Sequence, residues 1–184
     1  MKKYNILILS VLLVMAVSCA ALAQGKLRLV IIRHGEKLAK QDNLSCTGLN
    51  RSLKLITVLN KKIGVPEYIY VPSVGNGPST THSRMFQTIT PFAANYSLSI
   101  NSSFKSTDYN GIVKDLKHKQ GTVLFVWEHE SIAGLAKALG IKGSQLNWKD
   151  SDFDSIWIIT GKGKSRVMTV DKEGIIPGNI CGPY

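Results

Sequence analysis

One feature of the sequence limits the possible folds more than any other. It is the apolar run at residues 29–32, which leads directly into Arg33, His34 and Gly35. Consecutive apolar residues that are mostly β-branched are typical of a strand buried on both faces. Residues just past the carboxyl end of such a strand line the usual ligand crevice of an α/β sheet. Arg33 can bind phosphate oxygens, His34 can act as a nucleophile, and Gly35 allows a sharp turn. The stretch therefore predicts an anion-binding site at a strand end.

A helix is predicted soon after this strand. Residues 48–59 carry apolar side chains at helical spacing, and Ser45 or Thr47 can cap the amino terminus of the helix. Arg51 falls near its start, where it either faces the anion site or is solvated, as charged helix residues usually are. The order strand, ligand loop and helix indicates an α/β unit.

Two later strands, predicted at residues 68–71 and 122–127, also lead to polar residues. These residues are His82, Ser83 and Arg84 after the first strand and its Gly- and Pro-rich loop, and Glu128, His129 and Glu130 after the second. Helices are predicted after both groups, the first running to Ala94 and the second at residues 132–139. Parallel strands joined by crossover helices end at the same edge of a sheet, so we expect these polar residues near His34.

Together these segments resemble the signatures of the histidine phosphatase superfamily, the clan of phosphoglycerate mutases and acid phosphatases. The resemblance spans residues 27–130 and consists of Arg-His-Gly, a Leu-Ser-x-x-Gly helix start, a second arginine and a strand-end His-Glu pair. It implies an α/β three-layer sandwich with a mostly parallel central sheet and helices on both faces. A hairpin predicted from residues 156–160 to 166–170 adds an antiparallel edge near the C-terminus.

The resemblance also implies roles for individual residues. His34 would be the nucleophile, and Glu130 would donate a proton to the leaving group. Arg33, Arg84 and His129 would bind the phosphate oxygens. These five residues form the predicted catalytic and phosphate-binding site.

Four further residues are candidates for the pocket, namely Lys37, Arg51, His82 and Glu128. His82 has an ordinary alternative, as a loop histidine without a catalytic role. An acidic residue in the first turn of a helix is favoured by the helix dipole regardless of catalysis, so Glu130 can be a capping residue. Glu128 is then the competing carboxylate.

The implied activity is metal-independent hydrolysis of a small anionic phosphomonoester through a phosphohistidine, without a cofactor. A neutral imidazole can attack a phosphate dianion without the repulsion that an anionic nucleophile would meet. Two alternatives stay open: a phosphotransferase or mutase of the same superfamily, and a non-catalytic anion-binding envelope protein. Glu36 and Lys37 replace the Asn-containing stretch of the mutases, which argues against the mutase reaction.

The amino terminus has the pattern of a secretory signal peptide. Lys2 and Lys3 precede an apolar run at residues 6–17, and small residues follow up to Ala23. The run is shorter than the ~20 residues of a membrane span. We therefore predict cleavage after Ala23 and a single exported domain, residues 24–184, in the periplasm or secreted. The alternative is a membrane-attached lipoprotein with a lipid anchor at Cys19.

The mature chain is strongly basic. The 23 basic residues less Lys2 and Lys3, against 12 acidic residues, leave a formal charge of +9. Basic residues are spread along the chain in small groups and form no nucleic-acid motif, so nucleic acid is not a predicted partner. The excess charge favours attraction of anionic substrates, with solubility as the alternative explanation.

Cys46 and Cys181 remain as a pair once the signal is removed. An exported protein permits a disulfide between them, which would fasten the C-terminal tail to the region after the first strand. Two separate thiols are the alternative, because the sequence does not reveal the distance between them.

Two other motifs predict no metal or nucleotide site. Asp150, Asp152 and Asp154 lack the spacing of a calcium loop and are predicted to lie in a solvated loop. The segment 161–164, Gly-Lys-Gly-Lys, follows a strand but leads into another strand, unlike a nucleotide-binding loop, which leads into a helix.

Overall fold

The computed structural model describes residues 26–39, 41–143 and 146–182. The proposed signal peptide, its cleavage site and Cys19 lie outside the described residues. The elements are β1 (Arg28–Arg33), α1 (Cys46–Ile63), β2 (Tyr68–Pro72), α2 (Ser83–Asn95), β3 (Ile100–Phe104), α3 (Tyr109–Asp115), β4 (Thr122–Trp127), α4 (His129–Ala138), β5 (Ser155–Thr160) and β6 (Val167–Lys172).

The six strands form one sheet in the order β3-β2-β4-β1-β5-β6. The first four strands of that order are parallel, whereas β5 runs antiparallel to β1 and β6 antiparallel to β5. The predicted mostly parallel sheet with an antiparallel C-terminal edge is confirmed.

Helices cover both faces of the sheet. Leu55 and Leu59 of α1 and Met85 of α2 pack in one core cluster with Val30 and Ile32 of β1. On the other face, Ile112 of α3 and Leu135 of α4 pack in a second cluster with Leu29 and Ile31. Alternate residues of β1 therefore enter both cores, which explains its continuous apolar run. The predicted three-layer arrangement is confirmed.

Helix α4 begins at His129, three residues before the predicted start, because the Glu128 carbonyl already accepts from Ser131 N and Ile132 N. Strand β3 begins at Ile100 because Leu98 N donates to the Ala93 carbonyl, which keeps this segment at the end of α2. Helix α3 ends at Asp115, and residues 116–118 form a tighter helical turn.

Within the residues that the structure describes, every helix is too short or too polar to cross a membrane.

The C-terminal tail is fastened along α1. Cys181 forms a disulfide with Cys46, the first residue of α1. Of the two alternatives for these cysteines, a disulfide or separate thiols, the structure has the disulfide. The Asn50 side-chain amide donates to the carbonyls of Gly178 and Ile180 at 2.8 and 3.0 Å. The disulfide thus closes a chain loop with a sequence separation of 135 residues.

We expect the double variant Cys46→Ser/Cys181→Ser to be less stable than the wild type by about 4 kcal/mol, since the cross-link restricts the unfolded chain. Denaturant unfolding with and without dithiothreitol measures this difference. Reduction should lower the midpoint of the wild type and leave that of the double variant unchanged. Equal midpoints for the oxidised wild type and the double variant would contradict the prediction.

Candidate active site

The site lies at the carboxyl ends of β1 and β4. These strands pair in parallel with Arg33 opposite Trp127, and His34 N donates to the Trp127 carbonyl at 3.0 Å. Glu128, the next residue after β4, is therefore brought to the same edge of the sheet as His34.

The backbone after His34 is held against the start of α1. A Cβ atom on Gly35 would lie 2.9 Å from the Gly48 carbonyl oxygen, and one on Gly48 would lie 2.2 Å from the Glu36 carbonyl oxygen. Only glycine permits this close approach. Ser45 caps α1 by accepting from Gly48 N and donates its hydroxyl to the Glu36 carbonyl. The Leu-Ser-x-x-Gly segment thus positions the loop that carries His34.

The hydrogen bonds of His34 define its tautomer. Its Nε2 lies 3.1 Å from Arg84 Nε, which can only donate. Nε2 must therefore be the acceptor, and Nδ1 carries the proton that it donates to the Gly35 carbonyl at 2.6 Å. The lone pair of Nε2 points toward the guanidinium that is predicted to bind phosphate.

His34 is buried, with 1% of its surface exposed. Burial lowers the pKa of His34 to about 3, and the nearby charges of Arg84, Arg33 and Lys37 act in the same direction, against the hydrogen bond to Gly35. The imidazole is consequently neutral at neutral pH, which is the form that a nucleophile requires.

Arg84 connects His34 to two carboxylates. Its Nη1 donates to Asp42 Oδ1 at 2.8 Å, and its Nη2 lies 3.6 Å from Glu128 Oε2. Glu128 is buried and accepts from the Ser131 hydroxyl at 3.2 Å. His82 Nδ1 lies 3.7 Å from Glu128 Oε2 and is half exposed. Glu128 and His82 therefore both belong to the surroundings of Arg84.

Arg33 lies under Phe153, with its guanidinium carbon 3.9 Å from the ring centroid. Its Nη1 donates to the carbonyl of Asp150 at 2.5 Å, and carbonyls of Lys149 and Asp152 lie within 3.4 Å. Its Nε is buried without a hydrogen-bond partner among the described residues. Burial lowers the pKa of Arg33 to about 10, so the guanidinium keeps its charge at neutral pH. A buried, unpartnered cationic donor fits an anion site.

The structure separates the two glutamates after β4. Glu130 lies in the first turn of α4 with 79% of its side chain exposed and is 3.9 Å from His129 Nε2. His129 Nε2 is 3.2 Å from Asp150 Oδ1. Residues two apart on a helix start point in different directions, so Glu128 reaches Arg84 while Glu130 faces solvent. The arrangement does not bring the predicted proton donor Glu130 to Arg84; it brings Glu128.

Arg51 faces neither the pocket nor solvent, so both alternatives for this residue were wrong. It is buried, its Nη2 bonds Glu36 Oε1 at 2.8 Å, and its Nη1 bonds Glu173 Oε2 at 2.6 Å. Because Glu36 is two residues from His34, Arg51 holds the loop after His34 in place through this ion pair. Lys37 is exposed and reaches His34 only through its charge.

Glu173 is buried and shares the Arg51 guanidinium with a second carboxylate, that of Glu36. Burial raises the pKa of Glu173 to about 8, and the negative charges of Asp154 and Glu36 add to this effect against the opposing charge of Arg51. The Arg51 guanidinium thus faces the carboxyl groups of Glu36 and Glu173, and the more buried of the two, Glu173, holds a proton at pH values up to about 8.

Sequence reasoning missed four residues around the site. Thr88, which accepts from Gly35 N at 2.9 Å, lies four residues after Arg84 on the same helix, so the motif of the second arginine could have pointed to it. Asp42, Phe153 and Glu173 had no such signal. Asp152 is only partly solvated, because its carboxylate accepts from Asp154 N, Ser155 N and the Ser155 hydroxyl.

Comparison with known proteins gives matches only at the level of structure. No protein-family model and no curated protein sequence matches the chain. A mycobacterial glucosyl-3-phosphoglycerate phosphatase with inorganic phosphate superposes with a TM-score of 0.56 at 15% identity, over 78% of this chain and 95% of that one. A phosphoserine phosphatase from Entamoeba histolytica with 3-phosphoglyceric acid gives 0.54 at 13% identity, over 78% and 95%.

A protein assigned as the phosphohistidine phosphatase SixA from Agrobacterium tumefaciens gives a TM-score of 0.54 at 14% identity, over 78% of this chain and 97% of that one. These structures belong to the histidine phosphatase superfamily. At such low identity the similarity shows the fold, and the fold expected from the sequence resemblance is confirmed.

We predict that the stability of the wild type falls with rising pH relative to Glu173→Gln. The folded-state pKa of Glu173 is raised from 4.5 to about 8, so the folded state holds a proton that the unfolded state has released. The stabilisation from this proton is complete below the unfolded pKa and is lost as pH rises through the folded one. Between about pH 5 and pH 8 the difference should change by up to ~1.4 kcal/mol per pH unit.

Denaturant unfolding at several pH values measures this difference. Glu130→Gln makes the same change at an exposed position and should parallel the wild type. Parallel curves for the wild type and Glu173→Gln would disprove a proton on Glu173.

Proposed function

We propose that this chain is a phosphomonoester hydrolase that transfers a phosphoryl group to His34 Nε2 and then to water. The observation that carries the proposal is the buried, neutral His34, whose unprotonated Nε2 faces the Arg84 guanidinium at 3.1 Å. Attack on a phosphate dianion requires a neutral nucleophile with a fixed cation beside it.

The positive charge around His34 supports phosphoryl transfer. Arg33 keeps its charge despite its burial, and its Nε has no hydrogen-bond partner among the described residues. Arg84 Nε lies 3.1 Å from His34 Nε2. Catalysis of this reaction consists mainly of positioning the phosphoryl group and stabilising its equatorial oxygens. Two guanidinium groups with His129 at the rim can supply this stabilisation, so the proposed reaction is metal-independent.

The proposal assigns proton donation to Glu128, with Glu130 as the alternative. Glu128 is buried 3.6 Å from the arginine that contacts His34, whereas Glu130 points to solvent. A phosphate dianion bound to Arg84 would repel a nearby carboxylate and so favour its protonated form. The same group could later accept a proton from the water that cleaves the phosphohistidine.

The substrate proposed is a small phosphorylated molecule. The names of the similar structures specify phosphoserine, glucosyl-3-phosphoglycerate and phosphohistidine as substrates, and each is a small phosphorylated group. We also propose that the chain is exported, and the Cys46–Cys181 disulfide supports this because disulfides persist in oxidising compartments.

We expect His34→Ala to lower the release of free phosphate from p-nitrophenyl phosphate by at least about 10³-fold, since no other group can replace the nucleophile. The same variant should fail to retain labelled phosphate after acid quenching. His118→Ala removes an exposed histidine in the turn after α3 and should behave like the wild type. Full turnover in His34→Ala would rule out the proposed intermediate.

We expect Glu128→Gln to slow hydrolysis of an alkyl phosphate such as phosphoserine by about 10² to 10⁴, the usual weight of acid-base catalysis. An aryl phosphate should be affected much less in the phosphorylation step, because its leaving group needs little protonation. Burst kinetics on both substrates separates this step from hydrolysis of the intermediate.

Glu130→Gln is the matched control and should be near the wild type with both substrates. A leaving-group-dependent loss in Glu130→Gln, with Glu128→Gln unaffected, would transfer proton donation to Glu130.

A further inference from the structure

A second cavity lies at the edge of the sheet opposite to His34. It has a volume of about 530 Å³ and is bordered by Leu27 before β1, Gln120 before β4 and Gly161 after β5. Because β1 and β4 run from this edge toward the catalytic site, the length of a six-residue strand, roughly 20 Å, separates the two sites. A ligand in this cavity would not occupy the catalytic pocket.

The cavity is lined by basic side chains, and we call it the basic cavity. Its basic residues are Lys117, His118, Lys119, Lys162 and Arg166. Among the described residues that line it, none is acidic. The remaining wall is partly apolar and comes from Leu27, Val113, Leu116 and Leu139.

Part of this charge is accounted for by the fold. Arg166 donates to the Leu139 carbonyl at the end of α4, where a cation is favoured by the helix dipole. Lys119 lies 3.6 Å from Asp115 and over the Tyr68 ring, 4.3 Å from its centroid. These two cations are held in place and contribute a fixed positive potential to the cavity.

Lys117 and Lys162 have no such partner. Both side chains are exposed, and neither makes an ion pair within the part of the chain that the structure describes. The helix dipole does not account for Lys162, because it lies in the turn between β5 and β6. Two exposed ammonium groups without an ion-pair partner among the described residues therefore border a cavity that also contains Lys119 and Arg166.

We propose that the basic cavity binds an organic anion that carries at least two negative charges on a small apolar body. The free ammonium groups of Lys117 and Lys162 would pair with the anionic groups, and Leu27 and Val113 would contact the apolar part. Carboxylate, sulfonate and phosphate groups share this chemistry. The site is independent of the reaction proposed for His34.

The test uses naphthalene disulfonate, a dianion on an aromatic body that contains no phosphate ester. Isothermal titration calorimetry is performed without phosphate, which would compete for the basic cavity, at about 150 mM salt to screen long-range attraction. The wild type, His34→Ala and Arg84→Gln should each bind the probe at one saturable site with the same affinity, because the two last changes alter only the catalytic pocket.

Lys117→Glu and Lys162→Glu should each weaken binding about fivefold or more, because each removes one charge-assisted contact and adds repulsion. Lys61→Glu makes the same charge change at an exposed position of α1, on the other face of the sheet, and should leave the affinity unchanged. Lys117 and Lys162 are both exposed, and circular dichroism verifies that the variants keep the fold.

Three results would overturn the proposal. The first is the absence of saturable binding to the wild type. The second is equal weakening by Lys61→Glu, which would indicate attraction by the net charge alone. The third is a loss of binding in Arg84→Gln, which would place the probe in the catalytic pocket.

Discussion

The burial of β1 on both faces is the constraint on which the rest of the structure depends. With β4 on one side and β5 on the other, β1 must end inside the protein, and His34 leaves the sheet surrounded by other chain segments. Parallel pairing brings the end of β4 to this edge. Antiparallel pairing brings the start of β5 there as well, which places Phe153 over Arg33. The mixed direction of the strands thus builds the site from both neighbours of β1.

Burial also determines the chemical state of the site. It lowers the pKa of His34 to about 3 and that of Arg33 to about 10, so that at neutral pH the imidazole is neutral and the guanidinium charged. The positive charge of Arg84 reinforces the effect on His34 and is itself compensated by Asp42 and Glu128. In the proposed reaction, an incoming phosphate would therefore replace carboxylates that already compensate Arg84, whereas Arg33 offers an Nε without a hydrogen-bond partner among the described residues.

The loop after His34 links the site to the distant C-terminal part of the chain. Glu36 contacts Arg51, Arg51 contacts the buried Glu173 after β6, and the disulfide of Cys46 holds the tail against the same helix. Arg51 and Glu173 are 122 residues apart in sequence, and the disulfide joins residues 135 apart. Changes in the C-terminal segment can therefore alter the loop after His34 without contacting His34 itself.

Local patterns in the sequence determined the main elements and indicated His34 as the candidate nucleophile. The apolar runs marked β1 and β4 because such strands bury both faces, and the turn and capping residues marked α1 and the final hairpin. The Arg-His-Gly tripeptide and Arg84 could be recognised because these residue types match phosphate chemistry. Ion pairs between distant residues could not be predicted from the sequence, because ionic partners leave no periodic signal.

Only the tertiary structure decided which of Glu128 and Glu130 reaches Arg84, since this depends on where α4 starts and how its first turn is oriented. It likewise decided that Arg51 is buried, because the carboxylates that compensate its charge come from two separate segments of the chain.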